Sequence, residues 1–249
     1  MTARGVLRSP IVAALAVFAA WFVLAPLLKI QPRYLPALPT VIADGFSVWR
    51  DLAAGFGRTL IETLIGFILG AALGLAFGIG FAYLRFAERA FFPIFVALQT
   101  VPVIAFGAIV VIWFGNTLLS KVVIALYLTF FPVAVNTLRG LQAGDPQRIA
   151  LMKSFGTSGP QLFLKLALPS AAPTIFVGLK LGVSLSLAGA IVGEWFGDTV
   201  GLGVMLLQAL YFEQVPRIWA LIVVCGLLGA LLYSALATVE KRLVWWSAD

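Results

Sequence analysis

The chain's 249 residues are 62% hydrophobic and only 11% charged, with a mean hydropathy of +1.07, whereas a soluble globular domain is about half apolar and a quarter charged. Histidine is absent and the one cysteine, Cys225, lies in an apolar run, so disulfide frameworks, zinc sites and histidine-dependent catalysis drop out. The net charge of +7 comes from basic residues scattered between apolar runs, which fits orientation in a membrane better than nucleic-acid binding.

The N-terminal stretch MTARGVLRSPIVAALAVFAAWFVLAPLLKI starts basic, like a signal peptide. It has no small-x-small cleavage site and its apolar run is of spanning length, so a retained first helix is expected over residues 9–28. Uncharged runs follow at 63–84, 90–120, 122–138 and 218–239, and a run at 174–193 is interrupted only by Lys180. A helix needs about 20 residues to cross a hydrocarbon core of about 30 Å, so each run supports one crossing. The long third run is expected to form a helix from near Pro93 to the interfacial Trp113, and Lys180 lies close enough to its helix end to snorkel. The predicted fold class is an all-α membrane protein of about six transmembrane helices.

Gly66, Gly70, Gly74 and Gly78 recur on one face of the second helix, and Gly178, Gly182, Ser186 and Ala190 on one face of the fifth. Such small-residue stripes let helix backbones approach closely, and these two helices are expected to pack against each other. Pro132 is expected to kink the fourth helix, and Pro26 lies near the outer end of the first. Arg4, Arg8, Arg85, Arg89, Arg139, Arg148, Lys153, Lys165, Lys241 and Arg242 fall on one side of this topology and outnumber Lys29, Arg33, Arg50, Arg58, Lys121 and Arg217 on the other. The positive-inside rule then places both termini in the cytoplasm.

No carboxylate falls at the centre of a run, although Glu62 and Glu194 lie near outer ends, where Glu62 and Arg58 have the spacing of a surface pair. A secondary transporter is therefore the weaker reading, since coupling ions usually bind ionisable groups or broken helices near the midplane. No G-x-x-x-x-G-K-[ST] phosphate loop occurs. Without histidine or paired acids an enzyme is not expected either, and no cofactor or metal is called for. If the chain drives transport, another subunit supplies the work.

One segment does not fit a plain span: LMKSFGTSGPQLFLKLALPSAAPTIF, residues 151–176. Asp145-Pro146 is a helix start, with a carboxylate cap and proline at the first helical position, and the helix is expected to run to Phe155. Gly156 stops it, and Ser158 with Gln161 has capping-box spacing for a second short helix to Ala167. Leu168-Pro169 is expected to break that helix and Pro173 to start the next span. On physical grounds the segment is either an amphipathic pair lying on the membrane or a projecting elbow that inserts into a cytoplasmic partner.

The spacing of Gly156, nine residues, Leu166, one residue and Leu168-Pro169 resembles the G-x9-I-x-L-P signature of permease subunits of ATP-binding-cassette importers, with leucine for isoleucine. The blocks TLIETLIGFILGAALGLAFGIG, QTVPVIAFGAIVVIWFG, FFPVAVNTLRGLQ and AGAIVGEWFGDTVGLGVML fall in the order of the nitrate, sulfonate, taurine and pyrimidine-precursor group of binding-protein-dependent transport inner-membrane components. The likeness runs from about Phe56 to Lys241. It implies an importer permease (MetI-like) fold, with a first helix and external loop over 1–55, a permease domain over 56–241 and a cytoplasmic tail over 242–249. Within that domain, 145–169 becomes the cytoplasmic coupling segment, and Ala150, Leu151, Met152, Lys153, Ser154, Phe155, Gly156, Thr157 and Ser158 face the ATPase. Ala150 stands where the signature has Glu, so apolar and backbone contacts, or Arg148 or Lys153, replace the acid. The implied partners are ATPase subunits, an external solute-binding protein and a second permease copy in a bacterial inner membrane. Glu62 and Gln99 resemble permeases for pyrimidine thiamine precursors and riboflavin, with Ala108 departing from a usual proline; aliphatic sulfonate, taurine or nitrate are the alternative cargoes. Gln99, Thr100, Asn136 and Glu194 are candidate pathway residues, because buried polar groups need partners, and interhelical hydrogen bonding explains the same residues.

Overall fold

Residues 10–246 are described in a computed structural model of the chain. Arg4, Arg8 and Ser9 of the expected first span and its flank, and residues 247–249 of the expected tail, lie outside the described residues. Among the described residues all regular structure is helical. An uncharged 18-residue helix, α1 Pro10–Leu27, stands where the first span is expected, and a short helix, α2 Leu38–Ser47, follows. The next helix, α3 Trp49–Tyr83, has 35 residues and starts well upstream of its uncharged run. Its early part contains no proline, and Asp51 sits in the first turn, where the helix dipole favours an acid.

The third expected span is instead a broken one: α4 Arg85–Gln99 and α5 Val103–Phe114 meet at 98°. Thr100 and Val101 close α4 with N–H bonds to Ala97 O and Leu98 O at 3.0 and 3.1 Å. Pro102, which has no N–H and disfavours helix in the residue before it, then precedes α5. Phe95 of α4 packs on Phe77 and Phe81 of α3, with ring centroids 5.4 and 5.3 Å apart.

The chain continues with α6 Leu118–Gln142, α7 Pro146–Ser154, α8 Gly159–Leu162 and α9 Leu168–Glu194. The helix is not broken at Leu168-Pro169, nor restarted at Pro173. A π-helical turn, Phe163–Ala167, joins α8 to α9, and the whole of Gly159–Glu194 runs on as one helix. The wider turn resolves the proline problem, because Leu168 N–H bonds Phe163 O, five residues back, just before Pro169. Helix α6 likewise continues through Pro132. An unanticipated short helix, α10 Leu202–Tyr211, precedes α11 Val215–Leu243. Thus α3, α6, Gly159–Glu194 and α11 are each long and apolar enough to cross a membrane, and the bent α4–α5 pair provides a fifth such element.

The two glycine stripes do not pack mainly on each other. Both press on α6, which runs between them. A Cβ at Gly70 would lie 2.7 Å from Thr129 Cβ and 2.8 Å from Leu126 O, and one at Gly178 2.7 Å from Asn136 Cβ and 2.9 Å from Pro132 O. The partner face of α6 repeats Ala125, Thr129, Val133 and Thr137, small or β-branched residues that give both neighbours a flat surface. Direct contact between α3 and α9 remains at Ser186, whose hydroxyl donates to Thr63 O at 2.8 Å. On the far side of α9, Leu187, Leu202, Leu221 and Leu228 form an apolar core with α10 and α11. Arg217 of α11 grips Asp44 of α2 through two bonds of 2.5 and 3.1 Å. Lys180 does not simply reach outward; it pairs with Glu240 of α11 at 2.7 Å.

Candidate functional site

Two features stand out, at opposite ends of the bundle. The first is the elbow between α6 and α9. The Asp145 carboxylate caps α7, accepting the Gln147 N–H at 2.9 Å. Gly156 takes φ +73°, and Gly156 N–H bonds Lys153 O at 2.9 Å while Thr157 N–H bonds Met152 O at 3.3 Å. That pair of bonds is a Schellman stop, which a side chain at Gly156 would strain. Ser158 and Gln161 form the expected capping box, with Ser158 N–H donating to Gln161 Oε1 at 3.2 Å. The turn is therefore held on both sides. Leu151 and Phe155 are 57% and 78% exposed, Ala150, Lys153, Ser154, Gly156 and Ser158 are exposed, and Met152 and Thr157 are half-buried. Arg148 is occupied by Asp145 at 3.3 Å, whereas Lys153 takes part in no ion pair among the described residues.

The second feature lies where α3 and α6 begin and α9 ends. Glu194 is 1% exposed and serves the start of α10: it accepts the Gly203 N–H at 2.5 Å and the Thr59 hydroxyl at 2.5 Å. Thr59 Oγ1 in turn accepts the Leu202 N–H at 3.0 Å. Gly201 and Gly203 allow this approach, since a Cβ at Gly203 would lie 2.8 Å from Glu194 Oε2. One turn along from Thr59, Glu62 is fully buried, with Arg58 Nε 2.8 Å from its Oε1. Lys121 of α6, also fully buried, lies 3.2 Å from Asp198 Oδ2 and donates to Asn116 Oδ1. Arg58 reaches Asp198 at 3.6 Å. Burial works against the Asp198 carboxylate, but the Thr199 N–H, Lys121 and Arg58 outweigh it and hold the carboxyl below its ordinary range. A cleft of about 200 Å³, lined in part by Asp51, Thr199, Gly201, Gln208 and Arg217, opens beside this cluster.

The four pathway candidates are not brought together. Gln99 and Thr100 are exposed at the break between α4 and α5, where the Thr100 hydroxyl bonds Ala97 O at 2.7 Å. Asn136 is half-buried and donates to Pro132 O of its own helix at 2.8 Å. Only Glu194 belongs to a constellation. Arg58 and Glu62 do pair, but inside the protein rather than on its outer surface, and Lys121 is not a loop residue. Thr59, Lys121 and Asp198 escape sequence reasoning; the available signal is Glu194 followed by Asp198 and by Gly201 and Gly203, glycines that leave room for a buried carboxylate.

The family model described as binding-protein-dependent transport system inner membrane component matches residues 63–245. The formylaminopyrimidine transport permease protein ThiX of Halalkalibacterium halodurans is 41% identical over 159 residues, 64% of this chain and 64% of that protein. The riboflavin transport system permease protein RibX of Chloroflexus aurantiacus is 32% identical over 168 residues, 68% of this chain and 63% of that one. The chain thus spans less than two thirds of the length of both relatives. The taurine transport system permease protein TauC of Escherichia coli is 28% identical over 240 residues, 92% of this chain and 86% of that protein. Among solved structures, a chain from inward-facing conformations of the MetNI methionine ABC transporter matches with a TM-score of 0.65 at 19% identity. It covers 77% of this chain and 95% of that chain, and it shares the fold.

Proposed function

The chain belongs to the family of binding-protein-dependent transport system inner membrane components, and from that premise we propose that it is the membrane-spanning permease subunit of an ATP-driven importer. Residues 56–241 form the permease unit, both termini face the cytoplasm, and two copies form the pathway. The chemistry of ATP hydrolysis belongs to a separate subunit and cargo delivery to an external solute-binding protein. The observation that carries this reading is the elbow: a turn fixed by two caps presents exposed Leu151 and Phe155 outside the bundle. A purely amphipathic pair on a bilayer needs no Schellman stop to fix its angle, whereas a segment that transmits displacement to α9 does. In this reading 145–169 is the coupling segment, and Ala150 leaves Leu151, Phe155 and Lys153, which forms no ion pair among the described residues, to make the contact. The preferred cargo is a pyrimidine thiamine precursor or a riboflavin-like compound, supported by the relatives whose names carry those substrates; an aliphatic sulfonate, taurine or nitrate is the alternative.

The test is co-purification with the ATPase subunit, followed by transport in vesicles with the binding protein inside an assembled complex. Phe155→Asp places a charge at an apolar contact and is expected to release the ATPase subunit and reduce transport at least about tenfold, the scale of a disrupted interface anchor. Unchanged co-purification and transport would remove the elbow from the coupling path. A ligand-dependent thermal-shift screen of the binding protein decides the cargo: a sulfonate response with no pyrimidine or flavin response overturns the preference.

A further inference from the structure

The buried cluster opposite the elbow contains three carboxyl groups, Glu62, Glu194 and Asp198, but two cations, Arg58 and Lys121. Burying an uncompensated charge is costly, and buried charges are normally paired. The hydrogen bonds show where the imbalance falls. Glu194 accepts from Thr59 Oγ1 and Gly203 N, and Asp198 accepts the Thr199 N–H at 2.8 Å and lies 3.2 Å from Lys121. Glu194 is served on both oxygens and Asp198 on Oδ1, while Asp198 Oδ2 has Lys121 as its counter-ion without a hydrogen-bond partner among the described residues. Glu62, with no exposed surface, has no hydrogen-bond donor on either oxygen among the described residues; the Arg58 Nε is near Oε1 in distance without hydrogen-bond alignment. Its carboxyl does, however, lie beside the carboxyl of Glu194 in the same buried cluster. Two carboxylates cannot hydrogen-bond each other, but a carboxylic acid donates readily to a carboxylate.

We propose that Glu62 and Glu194 form a buried acid pair that binds one proton, carried on Glu62 and donated to Glu194. The proton makes the cluster neutral: Arg58 and Lys121 then face the anions Glu194 and Asp198. It also completes a four-element junction. Glu62 and Arg58 come from α3, Lys121 from α6, Glu194 from the end of α9, Asp198 from the turn that follows it, and the Gly203 N–H from α10; among the described residues the thiol of Cys225 on α11 is the other titratable group near Glu194. The ligand is thus a resident proton sealed at the outer end, distinct from any cargo, and it locks α10 onto the bundle.

Infrared spectroscopy of the purified full chain in lipid nanodiscs tests this without reference to transport. At neutral pH the wild type is expected to show the carbonyl stretch of a protonated, non-exchanging carboxylic acid, and Glu62→Gln to lose that band. Because a side-chain amide donates to Glu194 as the neutral acid does, Glu62→Gln is expected to melt within about 2 °C of wild type, whereas Glu62→Ala, which donates nothing, melts clearly lower. A band that persists in Glu62→Gln, or that is absent from the wild type, overturns the proposal. So does a Glu62→Gln variant that melts with Glu62→Ala or does not fold, since an ionised Glu62 paired with Arg58 would have no tolerance for the amide. None of these readouts depends on the ATPase subunit or the cargo, so they stand apart from the importer reading.

Discussion

Gly74→Leu is expected to prevent α3 from docking on α6 and to remove most folded protein from detergent extracts. Position 74 lies in the middle of the stripe, where even a Cβ would come within 2.7 Å of Phe130 O and 2.8 Å of Val133 Cβ. The first of these neighbours is backbone, so no rotamer change relieves the clash. Overpacking a tight contact costs roughly 1–3 kcal/mol where neighbours can shift. Here the whole helix pair must separate, and the aromatic contact of Phe77 with Phe130 of α6, ring centroids 5.5 Å apart, separates with it. Gly80 lies on the same helix with nothing within 4 Å of an added Cβ, so Gly80→Leu is the matched control. Size-exclusion profiles in mild detergent are expected to show a monodisperse peak for Gly80→Leu and aggregate for Gly74→Leu. Equal profiles for the two would mean that the stripe is not a packing surface.

The stripes illustrate what is legible in this sequence. Period-four glycines identify the close-packed faces of α3 and α9, because only a flat strip of small residues permits such contact. They do not identify the partner, since flatness on one helix says nothing about which neighbour is flat. The matching face of α6 is built from Ala125, Thr129, Val133 and Thr137, residues ordinary enough to pass unnoticed. Similarly the apolar runs locate the spans, and the caps at Asp145 and Ser158 locate the elbow, because both are local signals. The break at Pro102 is local too, but the length of the surrounding apolar run conceals it. The π turn before Pro169 is not legible: whether a proline breaks a helix or is absorbed by a wider turn depends on what holds the helix on both sides.

The charge cluster is hidden for a different reason. Its members come from three separate stretches of chain, and each taken alone has a plausible role at the membrane surface. Only their convergence shows that Lys121 and Glu62 have no contact with solvent. The convergence also gives α6 and α9 a shared architecture. Each runs from the cluster at one end to the elbow at the other, and α9, with 27 residues, is about 40 Å long at the usual helical rise. A displacement of the elbow that carries α9 as a rigid rod therefore reaches Glu194 and, through Gly203, the start of α10.

Lys121→Met is expected to show how much of that junction depends on charge balance. The lysine stem already packs at Gly193, where a Cβ would lie 3.2 Å from Lys121 Cγ, and methionine retains most of that packing while removing the cation. Asp198 is left with Arg58 at 3.6 Å as its remaining cation, inside a cluster now one negative charge in excess. Breaking a buried pair by removing one partner costs about 3–5 kcal/mol, because the other charge stays behind. For a chain of this size that corresponds to a melting temperature lower by about 6–20 °C. The loss has a pH signature. The folded protein holds the Asp198 carboxyl below its ordinary range, so the stabilisation is complete above the unfolded carboxyl value of about 3.9 and is lost as pH falls through the lower folded value. In Lys121→Met that acid-side dependence is expected to shrink, because the cation that favours the ionised form is gone. The double variant Lys121→Met/Asp198→Asn restores neutrality and is expected to melt above the single variant, a coupling that two unrelated defects cannot produce. Additive losses in the double variant would show that Lys121 and Asp198 do not act as a charge pair.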